Sequence, residues 1–415
     1  MNNTQSIHTF QNRHLFNLSY NAGITICLFI ISPLISLPFI LSGIYNKKKS
    51  AFLLFSIFLG LLAWLQIPLG DLFRHSMSFF RLYDKPISRI FDFSDGFHDF
   101  IGSLGKWILV NNGFPYEWFR FLSITECFYL QSLIFLWMIK NSNREYSKNE
   151  VFNRFIILVL FFELIMTTSG TRYCFAVYNF VYGLHLLLNK KNYFLSVIFF
   201  IFSICIHDTL IFFIPICLLL YLLCYKKKNI IIIFILSTLL SLTFLGYLQG
   251  YMGRRSEFYF ENGSSIDGNT FEKVTIYGLI LSIYMRFLIL PFSYISFKEF
   301  SYKLKWARMM MVFTIMLLVL ISNQVLIFRV AAFMEAIACF VLINIENVKT
   351  ISRRLFRVLL ICSLLCTIFN TINYREIILN SRYQYIALPL PYILSTEYDK
   401  EWIILHVDNN KMKLP

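Results

Sequence analysis

The sequence predicts an all-α polytopic membrane protein with about twelve transmembrane helices, folded as one domain over residues 1–415. Two observations lead to this fold class. First, 57% of the 415 residues are hydrophobic and only 15% are charged, which is far from the composition of a soluble domain. Second, apolar runs of about 15 to 22 residues recur between positions 24 and 371, long enough for helices to cross hydrocarbon. These runs are continuous rather than alternating, which favours helices over strands.

Each predicted span is an apolar run bounded by polar or charged residues. The first is read as an uncleaved span, since no small-residue cleavage site follows it. In chain order the predicted spans cover residues 24–45, 51–70, 121–139, 155–168, 171–188, 193–206, 208–224, 229–248, 276–297, 309–321, 329–345 and 355–372.

The orientation follows from the basic residues. If the loop around Lys48 is cytoplasmic, strict alternation also places residues 140–154, 190–191, 226–228, 298–308 and 346–357 inside. These six inner loops hold 20 Lys or Arg against four acids, whereas the rest of the chain holds 18 basic and 19 acidic residues. An excess of positive charge in short cytoplasmic loops is the rule for membrane proteins. The net charge of +15 is therefore a topology signal and does not indicate binding of nucleic acid.

Three long segments lie on the outer side in this topology: residues 71–120, residues 249–275 and the tail 373–415. We expect them to form an extracytoplasmic cavity, with the aromatic and proline-rich tail as its lid. A disordered tail is the alternative. In the first segment, Ile101, Leu104 and Ile108 recur at helical spacing opposite Ser103 and Lys106. This spacing indicates an amphipathic helix on the membrane surface, and a loop that lies on lipid headgroups is the alternative.

Familiar cofactor and metal motifs are missing from the sequence. It contains no GxxxxGK[ST] loop, no GxGxxG after a strand, no HExxH and no paired CxxC. We therefore expect neither a cofactor nor a metal. The nine cysteines fall inside apolar runs, where they are typical of small core residues rather than of disulfides.

Charged residues collect at the outer ends of four predicted spans. Arg172, His207, Asp208 and Arg329 all take this position in the predicted topology. An ionisable residue inside a membrane costs about 2.5 to 3.5 kcal/mol on insertion scales, so such residues are usually functional. A structural role, as a snorkelling Arg172 or a His207 capping a helical hairpin, remains an alternative.

A second group of cations lies in the outer segment 249–275. Arg254 and Arg255 are flanked by aromatic residues that include Tyr251 and Tyr259. Guanidinium groups bind phosphate oxygens in pairs and aromatic rings offer flat apolar faces, so this loop suits a ligand that combines phosphate with sugar. The alternative is a solvated loop whose aromatic residues rest at the interface.

Several passages together resemble the EpsG-like group of Wzy-type polysaccharide polymerases. They are Thr171-Arg172-Tyr173, the basic turn Lys190-Lys191, Ile206-His207-Asp208-Thr209 with Phe213-Ile214-Pro215, Phe328-Arg329-Val330 with Phe333, and Leu388-Pro389-Leu390-Pro391-Tyr392. The resemblance implies an enzyme of the bacterial cytoplasmic membrane that joins repeat units of O-antigen or capsule at the outer face. Donor and acceptor would be oligosaccharides on undecaprenyl diphosphate, with a chain-length regulator as a further partner.

In the mechanism implied by this resemblance, an acceptor hydroxyl attacks the anomeric carbon and undecaprenyl diphosphate leaves. Arg172 and Arg329, assisted by Arg254 and Arg255, would neutralise the diphosphate. His207 would be the general base, with Asp208 or Asp71 as alternatives. We expect a further group of residues to contact sugar or close the lid: Tyr173, Tyr251, Tyr259 and Tyr392.

Other functions stay open at this point. An O-antigen ligase would share the donor but not the acceptor. A lipid-phosphosugar glycosyltransferase would use a carboxylate in the first outer loop, where Asp71, Asp92, Asp95 and Asp99 lie. A flippase would carry the lipid-linked sugar without chemistry, but we would expect two related halves, which the sequence does not show.

Overall fold

A computed structural model describes residues 20–91, 100–237, 292–319, 324–347 and 374–407, with scattered positions between 357 and 372. Within these described residues 81% are helical and none is in a strand, which confirms the all-α class. Several predicted site residues lie outside the described residues: Tyr251, Arg254, Arg255, Tyr259, Asp92, Asp95 and Asp99.

Helices make up most of the described residues, including stretches at residues 227–237 and 292–298 in addition to the helices numbered below. In chain order they are α1 (Ala22–Ile31), α2 (Pro33–Tyr45), α3 (Lys49–Leu65), α4 (Asp71–Phe80), α5 (Phe100–Asn111), α6 (Glu117–Lys140), α7 (Lys148–Phe162), α8 (Leu164–Ser169), α9 (Thr171–His185), α10 (Tyr193–Ile206), α11 (Leu210–Leu223), α12 (Lys305–Val319), α13 (Gln324–Glu346), α14 (Arg375–Asn380), α15 (Leu390–Ser395) and α16 (Lys400–His406). Short 3₁₀ turns cover Ile87–Phe91 and Tyr383–Ala387, and a π turn covers Leu186–Lys190.

Among the described residues, one helix, α6, is long and apolar enough to cross a membrane by length and composition. The predicted number of about twelve spans is therefore not confirmed. Helix breaks account for part of the difference. The run 24–45 divides at Ser32, whose side chain caps α2 ahead of Pro33. The run 155–168 divides at Glu163, which has a left-handed backbone conformation (φ 42°).

The apolar faces of several shorter helices point away from the protein. Phe194 on α10 is 76% exposed and Leu222 on α11 is 70% exposed. Apolar surface of this extent is not stable in water and is typical of a face that meets lipid or a partner. It agrees with the placement of the chain in a membrane.

The loops predicted to be cytoplasmic meet at one end of the helix bundle. Lys47 Nζ donates to the Tyr146 carbonyl at 2.9 Å. Arg154 on α7 forms a two-point ion pair with Glu346 at the end of α13, and the Tyr146 hydroxyl donates to the same carboxylate at 3.0 Å. The Ser142 hydroxyl pairs with Asn347. Three loops distant in sequence are thus joined at the predicted inner end.

The centre of the bundle consists of close helix pairs: α3 with α6, α9 with α10, and α12 with α13, with α6 against α9 between them. Gly183 permits the close approach of α9 and α10, because a Cβ at this position would lie 2.8 Å from the Phe200 ring. The Ser196 hydroxyl donates to the Gly183 carbonyl at 2.9 Å across the same contact. Small residues at the contact are typical of helices that pack in membranes.

The predicted surface helix in the first outer segment is present as α5, but its buried face differs from the expected one. Lys106 is only 3% exposed and donates to the Ser78 hydroxyl at 2.9 Å, whereas Ile108 is 45% exposed. The expectation that Lys106 faces solvent is therefore wrong. A hydroxyl partner on α4 and the ring of Tyr116, 5.8 Å from Nζ, hold the ammonium group inside.

The tail folds back onto the predicted outer end of α3. The Arg382 backbone N–H donates to the Leu65 carbonyl at 3.0 Å, and the Tyr383 hydroxyl donates to Gln66 Oε1 at 3.2 Å. Trp64 Nε1 donates to the Thr396 carbonyl at 2.5 Å. This docking agrees with a tail on the outer side, while its role as a lid stays a prediction.

Candidate active site

Most of the predicted site residues lie at the end of the bundle to which the tail docks. Arg172 and Tyr173 belong to the first turn of α9, and His207 and Asp208 form the turn between α10 and α11. Arg329 lies in the first two turns of α13. Three loops or helix ends that are far apart in sequence thus place their polar groups together.

Arg329 is held by a set of specific contacts. Its Nη1 lies 3.1 Å from Thr209 Oγ1 and 3.4 Å from His207 Nε2. The Tyr173 hydroxyl donates to the Arg329 carbonyl at 2.7 Å, and the guanidinium carbon lies 4.9 Å from the centre of the Tyr173 ring. Cation–π contact and two hydrogen bonds fix the direction of the guanidinium group.

The turn that carries His207 is shaped by local contacts between the end of α10 and the start of α11. Helix α10 ends at Ile206, and His207 adopts an extended conformation while its backbone N–H still caps the Ser203 carbonyl at 3.0 Å. His207 Nδ1 lies 2.9 Å from Thr209 Oγ1 and 3.7 Å from Asp208 Oδ1. Asp208 is therefore beside the imidazole, but beyond hydrogen-bond distance of Nδ1.

Arg172 makes a separate set of contacts with α4. Its Nε lies 3.3 Å from His75 Nε2. Asp71 Oδ2 lies 3.3 Å from the same nitrogen, and Asp71 Oδ1 forms an ion pair with Arg74. Helix α4 is anchored by Leu72 and Phe79, which pack against Tyr116 and Phe119 of the adjoining segment.

Charge and burial set the protonation of this second cluster. Burial, together with the cations Arg172 and Lys106, lowers the pKa of His75 to about 4 against the opposing effect of Asp71. Burial tends to raise the pKa of Asp71, but hydrogen bonds and charge from His75 and Arg74 outweigh it and hold that pKa below its ordinary value. At neutral pH the cluster thus contains a neutral imidazole, a carboxylate and two guanidinium groups.

The structure brings together six predicted site residues in two adjoining clusters: Asp71 and Arg172 in one, and Tyr173, His207, Asp208 and Arg329 in the other. Tyr392 belongs to neither cluster. It lies in the tail, where it is 50% exposed and packs on Tyr385. Within the described residues no group of three or more His, Cys, Asp or Glu side chains is arranged for a metal ion.

Two residues of these clusters were not predicted. Thr209 follows His207 by two positions and contacts both His207 and Arg329. His75 follows Asp71 by four positions, which places both on one face of a helix. The i, i+4 spacing is visible in the sequence, but it places Asp71 and His75 side by side only if the segment is a helix.

A model of the EpsG family matches residues 101–387. The matched range includes Arg172, Tyr173, His207, Asp208 and Arg329, and it begins after Asp71 and His75. No curated protein and no solved structure matches the chain.

Proposed function

The chain belongs to the EpsG family, and on that premise we propose that it is a polysaccharide polymerase, a glycosyltransferase that joins lipid-linked oligosaccharide repeat units at the outer face of the bacterial cytoplasmic membrane. The product would be O-antigen or capsule. Membership of this family indicates that the chain is a membrane protein with a polymerase-like function in polysaccharide biosynthesis. The particular reaction, the undecaprenyl diphosphate carrier and the membrane face are parts of the proposal.

The observation that carries the proposal is the convergence of Arg172 and Arg329 at one end of the bundle. Each guanidinium is oriented by a histidine: Arg172 by His75 and Arg329 by His207. Two guanidinium groups held in fixed directions suit a diphosphate, which carries negative charge and offers several oxygens.

The chemistry of the diphosphate leaving group explains why arginines alone can assist its departure. When the acceptor hydroxyl attacks the anomeric carbon, the bond from that carbon to the diphosphate oxygen breaks and its electron pair stays on the diphosphate. The developing charge needs neutralisation more than protonation. Guanidinium groups fixed in advance provide it without reorganisation. Donor and acceptor are both lipid-linked oligosaccharides in this proposal, and a chain-length regulator is a candidate partner.

The test is the length distribution of surface polysaccharide in the native host. Deletion of the gene should leave single repeat units attached to the final acceptor, and the wild-type gene should restore long chains. Loss of every unit, including the first, would favour the ligase or the flippase. Unchanged long chains after deletion would refute the proposal.

A further inference from the structure

We infer that His75, rather than His207, takes the proton of the acceptor hydroxyl, and that binding of a diphosphate to Arg172 switches His75 into this role. The inference rests on the proposed function and refines its mechanism. His75 would be a catalytic base, Asp71 would orient it, and His207 would position Arg329.

The first step concerns His207. Arginine has only donors, so the contact of Arg329 Nη1 with His207 Nε2 uses the lone pair of that nitrogen. The proton of the neutral ring is then on Nδ1, which donates to Thr209 Oγ1 at 2.9 Å. Both ring nitrogens are thus engaged in holding the second cluster. A base needs a lone pair directed at the substrate.

The second step concerns the two neighbours of His75 Nε2. Arg172 Nε, a donor, and Asp71 Oδ2, an acceptor, both lie 3.3 Å from this one nitrogen. A neutral imidazole nitrogen carries either a proton or a lone pair, so it satisfies only one of them at a time. The two contacts therefore correspond to two tautomers of His75.

The two tautomers differ in what Nδ1 offers. If Nε2 accepts from Arg172, the proton is on Nδ1. If Nε2 donates to Asp71, Nδ1 carries the lone pair, and within the described residues Nδ1 has no hydrogen-bond partner. The second tautomer is the arrangement in which a carboxylate orients a histidine base through its far nitrogen.

Charged and titratable groups surround His75 on several sides. They are Asp71 on α4, Lys106 on α5 and Arg172 on α9. Arg74 acts on Asp71, and Tyr116, Glu117 and Arg120 at the start of α6 lie near Asp71 and Arg172. Trp402 and Ile403 of α16, with Tyr398 just before this helix, pack in one apolar cluster with Phe73 of α4. Burial and the nearby cations keep the free imidazole neutral. Both tautomers are thus available before substrate binds.

Substrate binding selects between them. A diphosphate bound to Arg172 takes over its N–H groups, which removes the donor that Nε2 faces. His75 then donates Nε2–H to Asp71 and directs the Nδ1 lone pair at the acceptor hydroxyl. In the chemical step the acceptor oxygen bonds to the anomeric carbon, the diphosphate leaves with the electron pair of the broken bond, and the hydroxyl proton moves to Nδ1. Asp71 stabilises the resulting imidazolium.

A matched set of glutamine variants tests this assignment. His75→Gln keeps a donor and an acceptor near the position of Nε2 but contains no base, and His207→Gln does the same in the other cluster. Protein in nanodiscs would receive two probes: undecaprenyl diphosphate for binding, and the lipid-linked repeat unit extracted from the deletion strain for chain extension. The control is His406→Gln, which changes an exposed histidine of the tail.

We expect His75→Gln to bind undecaprenyl diphosphate within a few-fold of wild type and to lose chain extension by about 10²- to 10⁴-fold, the usual contribution of a general base. His207→Gln keeps an acceptor for Arg329 Nη1, so it should bind undecaprenyl diphosphate and extend chains within a few-fold of wild type, with the pH dependence of the wild type. His406→Gln should match wild type in both measurements.

The pH profile separates a base from a structural residue. A base must be deprotonated, so the rate falls as pH falls through its pKa. Bound diphosphate neutralises Arg172 and adds negative charge, which raises the pKa of His75 in the complex above the value of about 4 in the free protein. The acid limb of kcat should therefore lie at higher pH than that of kcat/KM. His75→Gln should abolish the acid limb of kcat in its residual activity.

The outcomes separate the inference from the proposed function. Wild-type rates in His75→Gln, or loss of the acid limb in His207→Gln instead, would overturn the assignment of the base while the polymerase stands. Two results together would refute both the proposed function and the assignment of the base. The wild-type protein would extend no repeat unit in vitro, and the host would still make polymer after deletion of the gene.

Discussion

Two consecutive residues at the start of α9 contact the two clusters. Arg172 donates to His75 on α4, and Tyr173 contacts Arg329 on α13 through both its hydroxyl and its ring. Adjacent residues on a helix point about 100° apart, so one turn serves both sides of the site. A movement of this turn would alter both clusters together.

Arg172→Lys tests the role of the fork. Lysine keeps the charge but loses the planar pair of donors that grips two phosphate oxygens. We expect chain length to fall sharply and binding of undecaprenyl diphosphate to weaken by tenfold or more, about 1.4 kcal/mol. Arg375→Lys, at an exposed position in the tail, is the matched control. Full-length chains from Arg172→Lys at normal abundance would show that Arg172 is only an anchor.

Thr209→Val tests the support of Arg329. Valine has the shape of threonine without the hydroxyl that contacts both Arg329 and His207. We expect a loss of about 0.5 to 1.5 kcal/mol in diphosphate binding, the usual net value of a hydrogen bond. Titration of nanodisc-embedded protein with undecaprenyl diphosphate measures it. Equal affinity in the variant would mean that Thr209 plays no part in binding.

At the residue scale, the sequence was informative where a charge interrupts an apolar run. Arg172, His207 and Arg329 stand out for this reason, because membrane insertion makes such residues costly. His75 does not stand out, since its segment is polar enough to be an ordinary loop. Its importance depends on α9 being placed against α4, and that contact joins residues 97 positions apart.

Gly183 allows α9 and α10 to pack closely near the end of α9. Gly183→Ala should destabilise the protein by about 1 to 3 kcal/mol, because its Cβ would meet the buried Phe200 ring at 2.8 Å. Thermal unfolding of the detergent-solubilised protein would report the loss. Gly105→Ala on α5 is the control, since a Cβ there would lie 3.4 Å from Phe119. Equal melting temperatures for the two variants would contradict this account.

The docked tail is the second element with a testable role. Truncation after Asn373 removes the partners of Trp64 and Gln66 at the end of α3. We expect loss of polymer with normal membrane insertion, because α3 and α6 pack on each other without the tail. Immunoblots of membrane fractions and polysaccharide gels measure the two quantities. Long chains from the truncated protein would exclude the tail as a lid.

Element positions followed from the sequence to different degrees. The apolar runs predicted the positions of α6, α10 and α11 closely, because each run is continuous between polar ends. Breaks inside runs were not foreseen at Glu163, because a left-handed conformation in a non-glycine residue depends on tertiary contacts. The buried face of α5 was assigned wrongly, because a lysine inside the protein requires a partner that only the packing supplies.

At the scale of the whole molecule, the two ends of the bundle differ in chemistry, and this difference makes the orientation testable. One end joins Lys47, Arg154 and Glu346 in loops rich in basic residues, and the other carries the two arginine–histidine clusters and the tail. The reverse orientation would place the 20 basic residues of the inner loops outside, against the positive-inside rule.

Single cysteines on a cysteine-free background decide the orientation in intact cells. Lys48→Cys and Lys227→Cys should resist a membrane-impermeant maleimide until the cells are lysed, whereas Glu401→Cys in the tail should react at once; all three positions are exposed, so burial does not account for a difference. Reaction of the cysteine at position 227 in intact cells would reverse the map. The clusters at Arg172 and Arg329 would then face the cytoplasm, where the proposed polymerisation does not take place.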